Sequence, residues 1–102
     1  MKKISAAIIA TFVSFGAMAA GDPAAGQAKS AFCASCHGPD GKTTVAPNYP
    51  KIGGQNADYL VNALKAYRAG ERKGGLSDFM TPMAAGLSDQ DIEDLAAYFA
   101  SL

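Results

Sequence analysis

Residues 33–37 read Cys-Ala-Ser-Cys-His, and they contain the chain's only two cysteines and its only histidine. A C-x-x-C-H run is the attachment signature for c-type haem. Cys33 and Cys36 lie about one helical turn apart, so both sulfurs can reach the two vinyl groups of one porphyrin. His37 follows the second anchor directly, which delivers its imidazole beneath the ring as an axial iron ligand. A chain built on this motif folds around a flat apolar plate.

The same residues have three other uses. A Cys33–Cys36 disulfide would close a very small loop and stabilise little. A thioredoxin-type redox pair follows a βαβ pattern, which this sequence lacks, and has no need of the histidine. Structural zinc wants four Cys or His ligands, and the chain offers three.

Residues 1–20 read as a cleavable secretory signal. Lys2 and Lys3 form a positive start, residues 4–15 are mostly apolar, and Ala17-Met18-Ala19 supplies a small-x-small cleavage pattern. Cleavage is expected after Ala19 or Ala20. The apolar stretch is short for a membrane span, although a retained N-terminal anchor is the alternative. Export agrees with the haem motif, because haem is joined to thiols outside the cytoplasm. The positive-apolar-small leader looks bacterial, which makes the periplasm the expected location. That compartment is oxidising and would also permit a disulfide.

Roughly eighty residues remain after the leader, enough for one small domain. So short a chain has difficulty burying enough apolar surface for robust stability, and a covalently held porphyrin would supply some of what is missing. Removing Lys2 and Lys3 from nine basic residues leaves seven, against nine acidic ones. A mildly acidic domain is not a nucleic-acid binder, and its net charge would steer a partner only weakly.

The element pattern is all-α. Asp22 and Pro23 suit an N-cap and first helical residue, and the first helix is expected to run to about Phe32, straight into the motif. Residues 38–55 are rich in Gly, Pro, Asn and Thr and form a long loop fit to wrap one haem edge. A second helix begins near Asn56 or Asp58 and ends at Gly70, with Tyr59, Leu60, Ala63, Leu64 and Tyr67 on one face. The segment from Glu71 to Gly75 is a solvated turn. Ser88 opens a third helix with a capping-box-like Ser-x-x-Asp ending at Asp91, and Ile92, Leu95, Ala96, Phe99 and Leu102 form its buried stripe.

An iron held by one histidine leaves its other face for methionine or for nothing. Met1 and Met18 belong to the leader, which leaves Met80 and Met83 in the segment Phe79-Met80-Thr81-Pro82-Met83. That segment is expected to be a loop, and flexible core filling is the ordinary use of such residues. Chemistry alone does not choose between the two.

Together these residues resemble the class I c-type cytochromes, most closely the small monohaem cytochrome c-553 group and single domains of the dihaem cytochrome c4 group. The resemblance spans residues 21–102 and rests on three stretches. They are Cys33-Ala34-Ser35-Cys36-His37-Gly38, then Ala46-Pro47-Asn48-Tyr49-Pro50-Lys51 with Gly54-Gln55, then Met80 ahead of Leu87-Ser88-Asp89-Gln90-Asp91. It implies a small cytochrome c fold of three main helices and long loops around one haem c, attached by two thioether links through Cys33 and Cys36. It further implies His37 as proximal ligand and Pro47 as the residue whose carbonyl accepts from the other ring nitrogen. Met80, seven residues before Leu87, becomes the distal ligand, with Met83 the alternative.

The resemblance also implies that the first and last helices cross near the haem edge. Gly26 would permit close approach there, and Tyr98 or Phe99 would supply bulk. The chain has no tryptophan to reach a propionate, and Tyr49, Tyr59, Tyr67 and Arg68 are candidates for that role.

The function implied is a soluble periplasmic carrier that shuttles single electrons between redox partner proteins, not an enzyme, with no nucleic-acid partner and no stable membrane insertion. Two alternatives are a haem enzyme or gas-binding protein with an open distal site, and an electron-transfer subunit of a dehydrogenase complex. Intact-mass measurement of the exported protein should give an N-terminus at Ala20 or Gly21; retention of residues 1–19 would show an anchor instead.

Overall fold

A computed structural model describes residues 21–102, so the expected leader lies outside the described residues. Five helices follow one another: α1 (Pro23–Lys29), α2 (Ala31–His37), α3 (Ala57–Arg68), α4 (Ser77–Ala85) and α5 (Asp89–Ala100). Among the described residues there is no strand, and the fold is the expected all-α one.

The expected first helix is two helices. The Asp22 side chain caps α1 by accepting from the Ala24 amide at 3.0 Å, with Pro23 in the first turn. At Ser30 the regular pattern breaks. The Ser30 hydroxyl donates to the Gln27 carbonyl at 2.8 Å, and its own amide turns to the same oxygen, the local competition by which serine bends helices. The haem motif therefore occupies a short helix of its own.

Helices α3 and α5 form where the pattern places them. Asn56 caps α3 by accepting from the Tyr59 amide. Ser88 and Asp91 close a complete capping box on α5, each side chain accepting from the other's amide at 3.0 Å. Leu60 and Val61 of α3 join Ile92, Leu95, Ala96 and Phe99 of α5 in the core, and Leu102 packs against it. The five residues of the α3 stripe, Tyr59, Leu60, Ala63, Leu64 and Tyr67, all line one cleft. Leu60 and Leu64 also pack in or against the core, while Tyr59 is 55% exposed.

Residues 79–83, expected as loop, lie inside α4. Pro82 lacks the amide that a helix interior wants, and such a residue costs about 3 kcal/mol in an isolated helix. Tertiary packing overrides that cost: α4 lies against α3, and Ala84 is wholly buried. Arg68 ties the end of α3 to the turn before α5 and its first residue, donating to the Leu87 carbonyl at 3.1 Å and to the Asp89 carboxylate at 2.7 Å.

The crossing of α1 over α5 organises the chain ends. A Cβ placed on Gly26 would stand 2.0 Å from the Asp94 carbonyl oxygen and 2.8 Å from Tyr98 Cβ. The helices meet backbone to backbone, as expected for Gly26, and Tyr98 supplies bulk at the contact. Beside it lies a charge the hydropathy pattern did not disclose. Asp94 is buried, and its carboxylate accepts from Lys29 Nζ at 2.6 Å, the Asp22 amide at 2.8 Å and Gln90 Nε2 at 2.9 Å. Lys29 also pairs with Asp91 at 3.0 Å. Hydrogen bonding, from Lys29 first and then the Asp22 amide, holds the Asp94 carboxyl down at about 2.

Gly26→Ala should destabilise the protein by on the order of 3 kcal/mol or more, because backbone rather than a movable side chain blocks the new methyl; urea titration measures it. An Asp94 carboxyl held below its unfolded value of about 3.9 contributes stability above pH ~4 and loses it as pH falls toward 2. Circular dichroism across that range should show Asp94→Asn less stable at neutral pH and with a shallower acid decline. Some decline should persist in this variant, since backbone hydrogen bonds from Thr43 and Lys42 hold Asp40 near 2 as well.

Candidate functional site

The helical form of α2 sets the geometry of the motif. Cys33 and Cys36 stand one turn apart and both line a cleft of about 420 Å³, as does His37. The other walls come from loop 38–56 and from α3, α4 and α5, with Leu60, Leu64, Leu95 and Phe99 among the lining side chains. The volume lies in the usual range for cofactor and ligand sites, and the predominance of apolar walls is typical of them.

Loop 38–56 is a fastened wall rather than a loose strap. The Asp40 carboxylate accepts from the Lys42 and Thr43 amides at 2.9 and 2.7 Å. The Val45 amide donates to the Cys36 carbonyl at 3.1 Å, and the Gly54 amide donates to the Phe99 carbonyl at 2.8 Å. The loop thus joins α2 to α5 and brings Tyr49, Pro50, Ile52 and Gln55 to the cleft.

His37 is buried, and its Nδ1 lies 2.7 Å from the Pro50 carbonyl oxygen. A carbonyl can only accept, so Nδ1 carries the proton and donates. In the neutral ring Nε2 then keeps its lone pair, the form in which histidine binds a metal.

The accepting residue is Pro50, not Pro47. Residues 46–49 form a tight turn, closed by the Tyr49 amide donating to the Ala46 carbonyl at 3.1 Å. Pro47 takes the second position of that turn, where proline's fixed φ is favoured, and is exposed. The chain comes beneath the imidazole only three residues later.

Met80 and Met83 both line the cleft from α4. They are three residues apart and share a helix face. Met80 is half-buried, whereas Met83 is 40% exposed. Of the aromatic and basic candidates raised for the propionates, Tyr49, Tyr59 and Tyr67 line the cleft, whereas Arg68 is committed to Leu87 and Asp89. Arg72, which the sequence did not single out, also lines the cleft.

The alternative uses of the cysteines fit this site poorly. Burial pushes the Cys33 thiol up to about 11, so it stays protonated at neutral pH, unlike the thiolate a redox pair needs. Among the described residues, no group of three or more Cys, His, Asp or Glu side chains converges as a metal-binding set, so structural zinc lacks its ligands.

The family model described as cytochrome c matches residues 23–102. The chain belongs to the cytochrome c family. Cytochrome c-554(548) of Halomonas halodenitrificans is 57% identical over 82 residues, an alignment covering 80% of this chain and 98% of that protein. Cytochrome c4 of Azotobacter vinelandii is 48% identical over 91 residues, covering 83% of this chain but 43% of the relative. The crystal structure of reduced recombinant cytochrome c4 from Pseudomonas stutzeri superposes with a TM-score of 0.69 at 49% identity, over 80% of this chain and 46% of that one. The chain thus spans nearly all of the c-554(548) protein and about half of the c4 proteins.

The fold is the cytochrome c fold, and the cofactor is haem c, bound covalently, with Cys33 and Cys36 at thioether spacing. The residues present suit it: two thiols and an imidazole on one wall, thioethers on another, and apolar side chains between. Acid–acetone extraction should leave haem on the intact protein, whereas Cys33→Ser with Cys36→Ser should release all of it. Retention of haem by the double variant would rule out thioether attachment.

Proposed function

We propose that residues 21–102 form a soluble periplasmic monohaem carrier that passes single electrons between redox partner proteins, exported by a leader comprising residues 1–20. Membership of a family of electron-transfer cytochromes gives the class of activity. The observation that carries the finer reading is the joint presence of His37 and Met80 in one cleft, with His37 Nδ1 tied to the Pro50 carbonyl. Haem, when bound, supplies an iron centre that changes by one electron between ferrous and ferric.

The chain's part is to hold that centre still. His37 would hold the iron through Nε2, with the Pro50 carbonyl fixing its ring plane and raising its basicity as a ligand. Met80 offers a soft, uncharged sulfur that favours the ferrous state and raises the potential. Leu60, Leu95 and Phe99 keep water from the inner wall. The fastened loop 38–56 and the capped helices limit rearrangement on each transfer. His37 and Met80 would together hold the iron and leave it no position for a substrate, which favours a carrier over a haem enzyme or gas-binding protein. Met80 is preferred over Met83 because it is the less exposed of the two. Among the described residues, no helix is long and apolar enough to cross a membrane.

The optical spectrum of the oxidised protein tests this reading. It should contain the weak far-red sulfur-to-iron band, and the reduced protein should resist carbon monoxide. Met80→Ala should abolish the band and admit carbon monoxide, while Met83→Ala should leave both properties unchanged. The reverse pattern would move the ligand to Met83, and an intact protein without the band that binds carbon monoxide readily would overturn the carrier.

A further inference from the structure

Haem carries two carboxylates, and a carboxylate at an apolar cleft needs a cation or several donors to offset its lost hydration. No residue lining this cleft is acidic. Apart from His37, the basic ones are Lys51 and Arg72.

Local structure brings Arg72 to the cleft. Helix α3 ends in a Schellman motif: the Gly70 amide donates to the Tyr67 carbonyl and the Glu71 amide to the Ala66 carbonyl, both at 3.0 Å. Gly70 takes φ 71°, the left-handed conformation this motif requires and glycine adopts without strain. The chain doubles back and carries Arg72 over the residue one turn inside the helix. Arg72 Cζ stands 4.4 Å from the centroid of the Tyr67 ring, and Tyr67 itself lines the cleft.

A guanidinium lying on an aromatic face keeps its in-plane N–H edge free, and that edge matches a carboxylate with two parallel hydrogen bonds. None of the three ion pairs among the described residues uses Arg72. Arg68, only one turn away, is spent on Leu87 and Asp89. Lys51 is exposed, as Arg72 is, but as a compact ammonium on a flexible stem it offers no planar fork.

We propose that Arg72, steadied on the Tyr67 ring at the mouth of the cleft, binds a haem propionate and is a positioning residue for the cofactor. The proposal rests on the haem reading and deepens it. It gives the turn between α3 and α4 the task of fixing the carboxylate edge of the ring. It also places a permanent positive charge where it favours the ferrous form.

Redox titration with mediators and resonance Raman spectroscopy of the haem-loaded protein test it together. Arg72→Met should shift the ferrous–ferric balance several-fold toward ferric at a fixed solution potential, and should move the propionate-bending mode. Arg72→Lys should recover most of the shift in balance. Tyr67→Phe should leave the propionate mode in place, because the ring face remains, whereas Tyr67→Leu should move it. Lys51→Met should leave the mode in place.

An Arg72→Met protein with the original propionate mode overturns the proposal, whether or not its potential changes, and so does a Lys51→Met protein whose mode moves as far. Pyridine haemochrome spectra separate the two levels. An intact chain without thioether-linked haem defeats the cofactor assignment, while a normally loaded chain indifferent to Arg72→Met defeats only the role of Arg72.

Discussion

The seven hydrophobic side chains buried outright among the described residues all come from α3, α4 and α5. Phe32, Leu64, Tyr67 and Met80 are apolar too, yet they stay half-buried and meet at the cleft. Roughly eighty residues cannot close a larger core on their own. This shortage of burial explains why the helices stand apart around the cleft and why the loops beside it are so firmly tied. Covalent haem supplies the missing apolar partner, and the cleft walls are completed by it.

Polar interactions then fix how the elements frame that space. Where α1 crosses α5, the buried Asp94 carboxylate joins the entry of α1, the side chain of Lys29 and Gln90 of α5 itself. Gly26 allows the two helices to touch directly. With α1 fixed on α5, α2 follows after the bend at Ser30 and presents Cys33, Cys36 and His37 to the cleft. Arg68 does comparable work by joining α3 to the start of α5. These are charge-assisted contacts, worth more than neutral hydrogen bonds where they are sheltered.

The comparisons fit this economy. The chain spans nearly all of the matched c-554(548) protein and about half of the matched c4 proteins. Its site draws on every element after α1: the anchors from α2, the imidazole's partner from the long loop, apolar walls from α3 and α5, and thioethers from α4. Such a site exists only when the whole chain is folded.

Much of this was legible in the sequence. The haem motif depends on three neighbouring residues, so local spacing alone identified the cofactor and its anchors. Helices α3 and α5 declared themselves through caps and apolar period, both local properties. Local rules erred where packing overrode them or where two distant segments had to meet. Residues 79–83, expected as a loop, became helix where α4 packs on α3 and buries Ala84, and Ser30 bent a helix that composition let run on. Choosing between Pro47 and Pro50 required the path of the loop beneath His37, which sequence spacing does not contain. Asp94, polar in the α5 pattern, proved buried because Lys29, sixty-five residues earlier, lies beside it. The sequence by itself determined what the chain binds, because that chemistry is written in adjacent residues. Only the tertiary structure decided how the cofactor's surroundings are arranged, because those contacts join residues far apart along the chain.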